Sequence, residues 1–144
     1  MDLEIYDTTL REGEQAAGAS FNIDDRIKIC DMLDEIGVNF IELGWPLSSQ
    51  NIFNSFKECI SKIKNAKIVA FGSTSIIDKV SEDKNLRALV ECGAKYACIV
   101  GKTDLEHVKK QLKINPEENL RRIKESRACL IISTSMLIIL SLHL

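Results

Sequence analysis

The chain is 144 residues long, with 19 Lys and Arg against 21 Asp and Glu and a net charge of −2. That balance excludes an electrostatic nucleic-acid binder, which carries a clustered basic surplus. With 45% apolar and 28% charged residues, the composition excludes a disordered chain and suits one ordinary domain or part of a larger one.

From the N-terminus, one unit repeats: a short β-rich apolar run, then a longer amphipathic stretch. The runs are Leu3 to Tyr6, Asn39 to Leu43, Lys67 to Phe71 and Tyr96 to Val100. Their nearly continuous apolar character predicts strands covered on both faces. The first helix is predicted from an N-cap cluster at Asn22 to Asp24, through Ile23, Ile27, Cys30, Leu33 and Ile36, to a C-cap at Gly37. Ser48 and Ser49 precede a second stripe at Ile52, Phe53, Phe56, Ile60 and Ile63. A third helix carries Leu86, Leu89 and Val90 and stops at Gly93. The fourth unit has Val108 and Leu112, then restarts at Asn115-Pro116-Glu117-Glu118. There Asn is the N-cap, Pro the first helical residue and a Glu sits at the capping-box position; Leu120 and Ile123 continue the buried face.

Alternation of strand and helix at about 30 residues per unit predicts βαβ units on a parallel sheet. Two α/β architectures fit: an open doubly wound sheet, or about four units of a (β/α)₈ barrel, which in full needs roughly 250 residues.

Residues 128–144 break the pattern, because every charged residue lies in the first 127 positions. Three readings of this apolar tail stand: a shifted reading frame or premature stop, a C-terminal membrane anchor flanked by Arg121, Arg122, Lys124 and Arg127, or a final buried strand. At 17 residues with four Ser or Thr, the tail is short against the roughly 20 needed to span a bilayer, so membrane attachment is not expected. The five cysteines contain no C-x-x-C pair and read as reduced thiols. The opening Met1-Asp2-Leu3-Glu4 is acidic where a secretion signal is basic, so a cytoplasmic location is expected.

In either architecture ligands bind beyond the carboxyl ends of the strands. The first run is followed by Asp7-Thr8-Thr9-Leu10-Arg11-Glu12-Gly13-Glu14-Gln15, the second by Gly44-Trp45-Pro46, the third by Gly72-Ser73-Thr74-Ser75 and the fourth by Gly101-Lys102-Thr103. Every tip is polar or small. Glu42 interrupts the apolar run Phe40-Ile41-Glu42-Leu43, where an unpaired carboxylate is costly to bury. Either Glu42 points to solvent from an edge strand, or it pairs with Arg11 from the neighbouring tip.

The segment Asp7 to Gln15 resembles the signature of the DRE-type TIM-barrel metallolyases, which include isopropylmalate, homocitrate and citramalate synthases and hydroxymethylglutaryl-CoA lyase. Phe40 to Pro46, Phe71 to Thr74, Gly101-Lys102 and Pro116 to Leu120 are similar to the citramalate synthase branch, in order and spacing. The resemblance covers residues 1–127 and implies the N-terminal half of a TIM barrel. It implies an acyltransferase that condenses acetyl-CoA with a 2-oxo acid, in the branch most similar here pyruvate, giving citramalate on the route to isoleucine. Isopropylmalate or homocitrate synthesis is the alternative within the class. A non-catalytic half-barrel, inert or associating with a second half or a second copy, is the alternative outside it.

By resemblance, Glu12 is a ligand to a divalent metal ion (magnesium, manganese or zinc), and Arg11 stabilises an enolate-like oxygen. Glu42 orients Arg11, and Gln15 and Thr74 are candidate substrate contacts. Trp45 and Pro46 match branch residues without an assigned role. The family's two further metal ligands form an H-x-H motif. This sequence has His107 and His143 and no H-x-H, and the resemblance therefore implies a chain inactive by itself. Ser75-Ile76-Ile77 stand where the branch continues with basic residues, and no tryptophan stands near Thr103-Asp104.

Overall fold

A computed structural model of the chain describes residues 3–134 and 137–143. Five parallel strands form one sheet: β1 (Tyr6–Asp7), β2 (Phe40–Gly44), β3 (Lys67–Ser73), β4 (Tyr96–Lys102) and β5 (Leu137–His143). Between them run α1 (Ile23–Glu35), α2 (Gln50–Lys62), α3 (Lys84–Glu91), a short α4 (Leu105–His107) continued by a π-helical turn at Val108–Leu112, and α5 (Pro116–Thr134). The strands lie side by side in chain order, β1-β2-β3-β4-β5. A doubly wound sheet reverses direction at a switch point, whereas a barrel advances one strand at a time. The monotonic order is that of a barrel sector.

Local chemistry explains the boundaries. At the start of α1 the Asn22 side chain accepts from the Asp25 amide (2.9 Å), and the Asp25 carboxylate accepts from the Asn22 amide (3.1 Å), a complete capping box. Ser49 caps α2 and Asp83 caps α3. Gly37 (φ 86°) and Gly93 (φ 83°) take the left-handed conformation that ends α1 and α3. Asn115 accepts from the Glu118 amide (2.7 Å) as expected, but the Glu118 side chain does not complete the box. It pairs instead with Arg121 and Arg122, which lower its pKa to about 2.

The core joins one face of the sheet to the helices. Ile41 and Leu43 of β2, Ile68 and Ala70 of β3, and Ala97 and Ile99 of β4 pack with Cys30, Phe56, Cys59, Leu86, Leu89 and Leu130. Alternate strand residues fall outside that cluster: Tyr6, Phe40, Phe71 and Tyr96 are half-buried on the other face. There Phe40 stacks on Tyr6 and meets Tyr96 edge-on, both at 5.9 Å between ring centroids. The expected cover therefore differs between the faces: helices pack on the outer face, and half-buried aromatic rings line the inner one.

Three further expectations shift. Strand β1 pairs only through Tyr6–Asp7; just before it, the Ile5 carbonyl accepts from the Asn39 and Phe40 amides (both 3.1 Å) and the Ile5 amide donates to the Asn39 side chain (2.8 Å). The buried stripe of α1 centres on Arg26 and Cys30, leaving Ile36 exposed at the C-cap. On α5 the buried positions are Asn119, Ser126 and Leu130, and Leu120 is exposed.

The apolar tail does not begin a new element. Helix α5 runs through residues 127 and 128, carries Leu130 into the core and leads to β5, which pairs in parallel with β4 from Tyr96↔Leu137 to Lys102↔His143. Part of the tail thus enters the sheet as a fifth parallel strand. Residues 135, 136 and 144 of the tail lie outside the described residues. No helix among the described residues is long and apolar enough to cross a membrane.

Asp34 organises the turn from α2 into β3, accepting from the backbone amides of Lys64 (3.3 Å), Asn65 (3.0 Å) and Ala66. Burial opposes its ionisation, but these amides outweigh it and hold its pKa below the ordinary 3.8. A depressed acid stabilises the fold above its ordinary pKa and loses that contribution as pH falls through its lowered one. Urea midpoints followed from neutral pH into the acid range should fall more steeply for the parent than for Asp34→Asn; parallel curves would remove Asp34 from this role.

Candidate functional site

The carboxyl tips of β1 and β2 meet through the buried Glu42. The β2–β3 register shifts between Glu42 and Gly44, a bulge that lets Gly44 (φ 148°) turn the chain out of the sheet. Glu42 is 1% exposed. Its Oε2 accepts from the Tyr6 hydroxyl at 2.6 Å, and its Oε1 accepts from Arg11 Nε. A buried carboxylate is tolerated when charged and neutral donors meet it in this way. Arg11 also donates through Nη1 to Glu12, and its guanidinium lies over the Phe71 ring at 4.3 Å. A guanidinium with one edge on a carboxylate and one face on a ring is held in orientation as well as in place.

Arg11 reaches this site from a tight turn. Asp7 accepts from the Thr9 amide and hydroxyl, both at 2.9 Å, and the Arg11 and Glu12 amides return to the Thr8 carbonyl at 3.1 and 2.7 Å. A 3₁₀ turn at Gly13–Gln15 then brings Gln15 Nε2 within 3.5 Å of Glu12. A cleft of about 320 Å³ opens beside the couple, lined by Arg11, Glu14, Gln15, Trp45, Ile52 and Phe71 among others. Trp45 is fixed there by donating from Nε1 to Asn85 (2.6 Å) and meeting Phe71 edge-on (6.4 Å).

The charges act on their neighbours. Burial, then the Glu42 hydrogen bond and charge, push the Tyr6 phenol far above its ordinary range. Burial and the Glu42 charge push the Cys98 thiol up to about 11. Arg11 is partly buried, which opposes its charge, yet the Glu42 hydrogen bond and charge dominate and hold it protonated.

The structure therefore brings Arg11, Glu12, Glu42 and Gln15 together. It does not bring Thr74 to them: Thr74 is 7% exposed at the tip of β3, its amide donates to the Val100 carbonyl (3.0 Å), and its methyl faces Gly101. Beside it, Ser75 closes this tip by donating its amide to Ser126 Oγ (2.9 Å) and its hydroxyl to Asp83 (2.7 Å). His107 lies exposed on α4, and the backbone of His143 stands at the carboxyl end of β5, in register with Lys102. Sequence reasoning missed Tyr6, Phe71 and Cys98. Their signal is strand parity, but which residues lie level with Glu42 depends on register, which one strand's sequence does not reveal.

The described residues do not complete a metal site. No group of three or more His, Cys, Asp or Glu among them could hold an ion, and the Glu42 oxygens are engaged by Arg11 and Tyr6. Glu12, about half exposed at the tip, offers one hard oxygen ligand.

The HMGL-like family profile matches residues 2–135. The chain belongs to the HMGL-like family. It is 45% identical over 127 residues to an (R)-citramalate synthase of Geobacter sulfurreducens, covering 86% of this chain and 24% of that protein. It is 36% identical over 124 residues to a 2-isopropylmalate synthase of Sulfolobus acidocaldarius, covering 86% of this chain and 31% of that one. The chain thus spans about a quarter to a third of the curated relatives it matches. Its fold is similar to an HMG-CoA lyase of Bacillus subtilis, with a TM-score of 0.72 at 18% identity, over 96% of this chain and 45% of that one.

The raised phenol of Tyr6 reports on Glu42. In a Tyr96→Phe background, which leaves Tyr6 as the single tyrosine, phenolate absorbance should rise only well above the ordinary pH of 10. Adding Glu42→Gln should lower that midpoint without returning it fully, because burial remains. An unchanged midpoint would show that Tyr6 and Glu42 do not interact.

Proposed function

We propose that this HMGL-like chain carries the Arg11–Glu12–Glu42 part of an active site that condenses acetyl-CoA with a 2-oxo acid, most specifically pyruvate to give (R)-citramalate. The observation that carries the reading is a guanidinium held by a buried carboxylate, with a face on Phe71, at the edge of a cleft at the strand tips. The 45% identity to the Geobacter sulfurreducens citramalate synthase, against 36% to the isopropylmalate synthase described above, supports pyruvate over a bulkier 2-oxo acid.

Condensation requires a base to take an acetyl proton and the resulting enolate of the thioester to attack the ketone carbon. Water then cleaves the thioester and releases CoA; negative charge thus develops on two oxygens in turn. Arg11 supplies the preorganised donor for such an oxygen: it stays charged, and Glu42 prevents it from swinging into solvent. Glu42 does not act as a base here, since its two oxygens already accept from Tyr6 and Arg11. Gln15, on the cleft wall beside Glu12, is a candidate contact to the oxo acid. A divalent metal bound at such a site would polarise the oxo acid. Glu12 is the carboxylate this chain would contribute, but alone it does not hold an ion.

The same donor set leads us to propose that the chain by itself releases no CoA from acetyl-CoA and pyruvate in a metal-dependent way; detectable turnover would overturn that part. The parent reading is tested in a chimera in which residues 3–134 replace their counterpart in the Geobacter sulfurreducens relative. The chimera should release CoA with pyruvate. Arg11→Lys in it should lower kcat by about 10²–10³, the loss of one transition-state donor. A folded chimera active only with a larger 2-oxo acid would redirect the substrate; one indifferent to Arg11→Lys would reject the role.

A further inference from the structure

Arg26, on the first turn of α1, is 0% exposed, and the arrangement around it is not that of a stabilising ion pair alone. Nη1 donates to the Leu43 carbonyl at 2.9 Å and reaches the Leu10 carbonyl at 3.4 Å, while Nη2 donates to Glu14. Among the described residues, its Nε is a buried nitrogen with no hydrogen-bond partner. Burying a guanidinium costs several kcal/mol before partners are counted, and leaving one N–H unmet adds to that. Well-packed apolar residues of similar volume often replace a buried ion pair at no loss of stability.

The two carbonyls explain what the charge accomplishes. Leu10 O belongs to the peptide that leads into Arg11, and Leu43 O to the residue that follows Glu42. Arg26 therefore grips the backbone beside each member of the Arg11–Glu42 couple from the helix side of the sheet, where the Leu10 and Leu43 side chains are themselves fully buried. Glu14 ties the same guanidinium to the loop beyond Glu12, and its other oxygen accepts from the Phe21 amide at 3.2 Å. The Asn22–Asp25 capping box fixes where α1 begins, and so where Arg26 stands. Gly44 is needed beside it: an added Cβ would lie 3.0 Å from Ile52 and 3.7 Å from Arg26 Nη1.

We infer that Arg26 is a positioning residue for this site, holding the β1 and β2 tips at the separation that lets Arg11 engage Glu42. It touches no reacting atom; it acts through the two backbones. Only the catalytic meaning of that couple rests on the condensation reading.

The test reads the couple directly, by NMR hydrogen exchange of the Arg11 Nε–H against a core amide such as Leu89, in the parent chain and in Arg26→Met and Arg26→Lys. Positioning predicts that Arg11 Nε–H exchanges about tenfold or more faster in Arg26→Met, the loss expected when a charge-assisted hydrogen bond is no longer held, while Leu89 changes little. Arg26→Lys, which keeps the charge and can reach one carbonyl, should fall between. Equal acceleration of both protons would show a merely structural role, and an unchanged Arg11 Nε–H would overturn the inference outright. If Arg26→Met does not fold, Arg26→Lys decides by the same criterion. An inactive chimera with these exchange results intact would sink the condensation reading and leave the positioning role standing.

Discussion

A carboxylate placed inside a sheet needs donors or it unfolds the sheet, and Glu42 obtains them from two different strand ends. Tyr6 arrives from within β1 and Arg11 from the turn after it, so the buried charge couples β1, the shortest strand, to β2. Only two residue pairs join these strands through the backbone ladder. The side-chain link at Glu42 therefore matters more to their alignment than at any longer pairing. Stability and site geometry have the same origin here: the hydrogen bond from Arg11 that helps to satisfy Glu42 also orients Arg11.

The two faces of the sheet divide the labour. Outward residues, Ile41, Leu43, Ile68, Ala70, Ala97 and Ile99, meet the helices and form the apolar core. Inward residues carry rings and charge, with Lys67 above Phe40 at 4.4 Å at one level and Arg11 above Phe71 at 4.3 Å at another. Aromatic faces suit this position because they accept a cation without requiring a second buried carboxylate. The inner face thus pairs half-buried rings with cations at both levels.

Much of the frame was legible in the sequence. Asn22, Ser49, Asn115, Gly37 and Gly93 announce helix ends because capping is local, decided by residues within one turn. Glu42 and Arg11 could be singled out because a charge in an apolar run and a charged tip are visible without neighbours. Arg26 could not: on a helix rich in charge it looks solvated, and its burial follows from Leu10 and Leu43 converging on it from elsewhere. Leu120 erred the other way, an apolar residue at helical spacing that faces outward because Asn119 and Ser126 take the inward side to meet Lys102 and Ser75.

From its sequence alone this protein is a repeating strand–helix chain with a charged signature at one strand tip, since hydrophobic period, capping and residue type are properties of short stretches. Strand order, register and the seating of Arg26 were decided only in three dimensions. Barrel and doubly wound sheets share the same local patterns, and they differ in which distant segments lie side by side. That choice depends on how faces from residues far apart in the chain pack together, which no single stretch encodes.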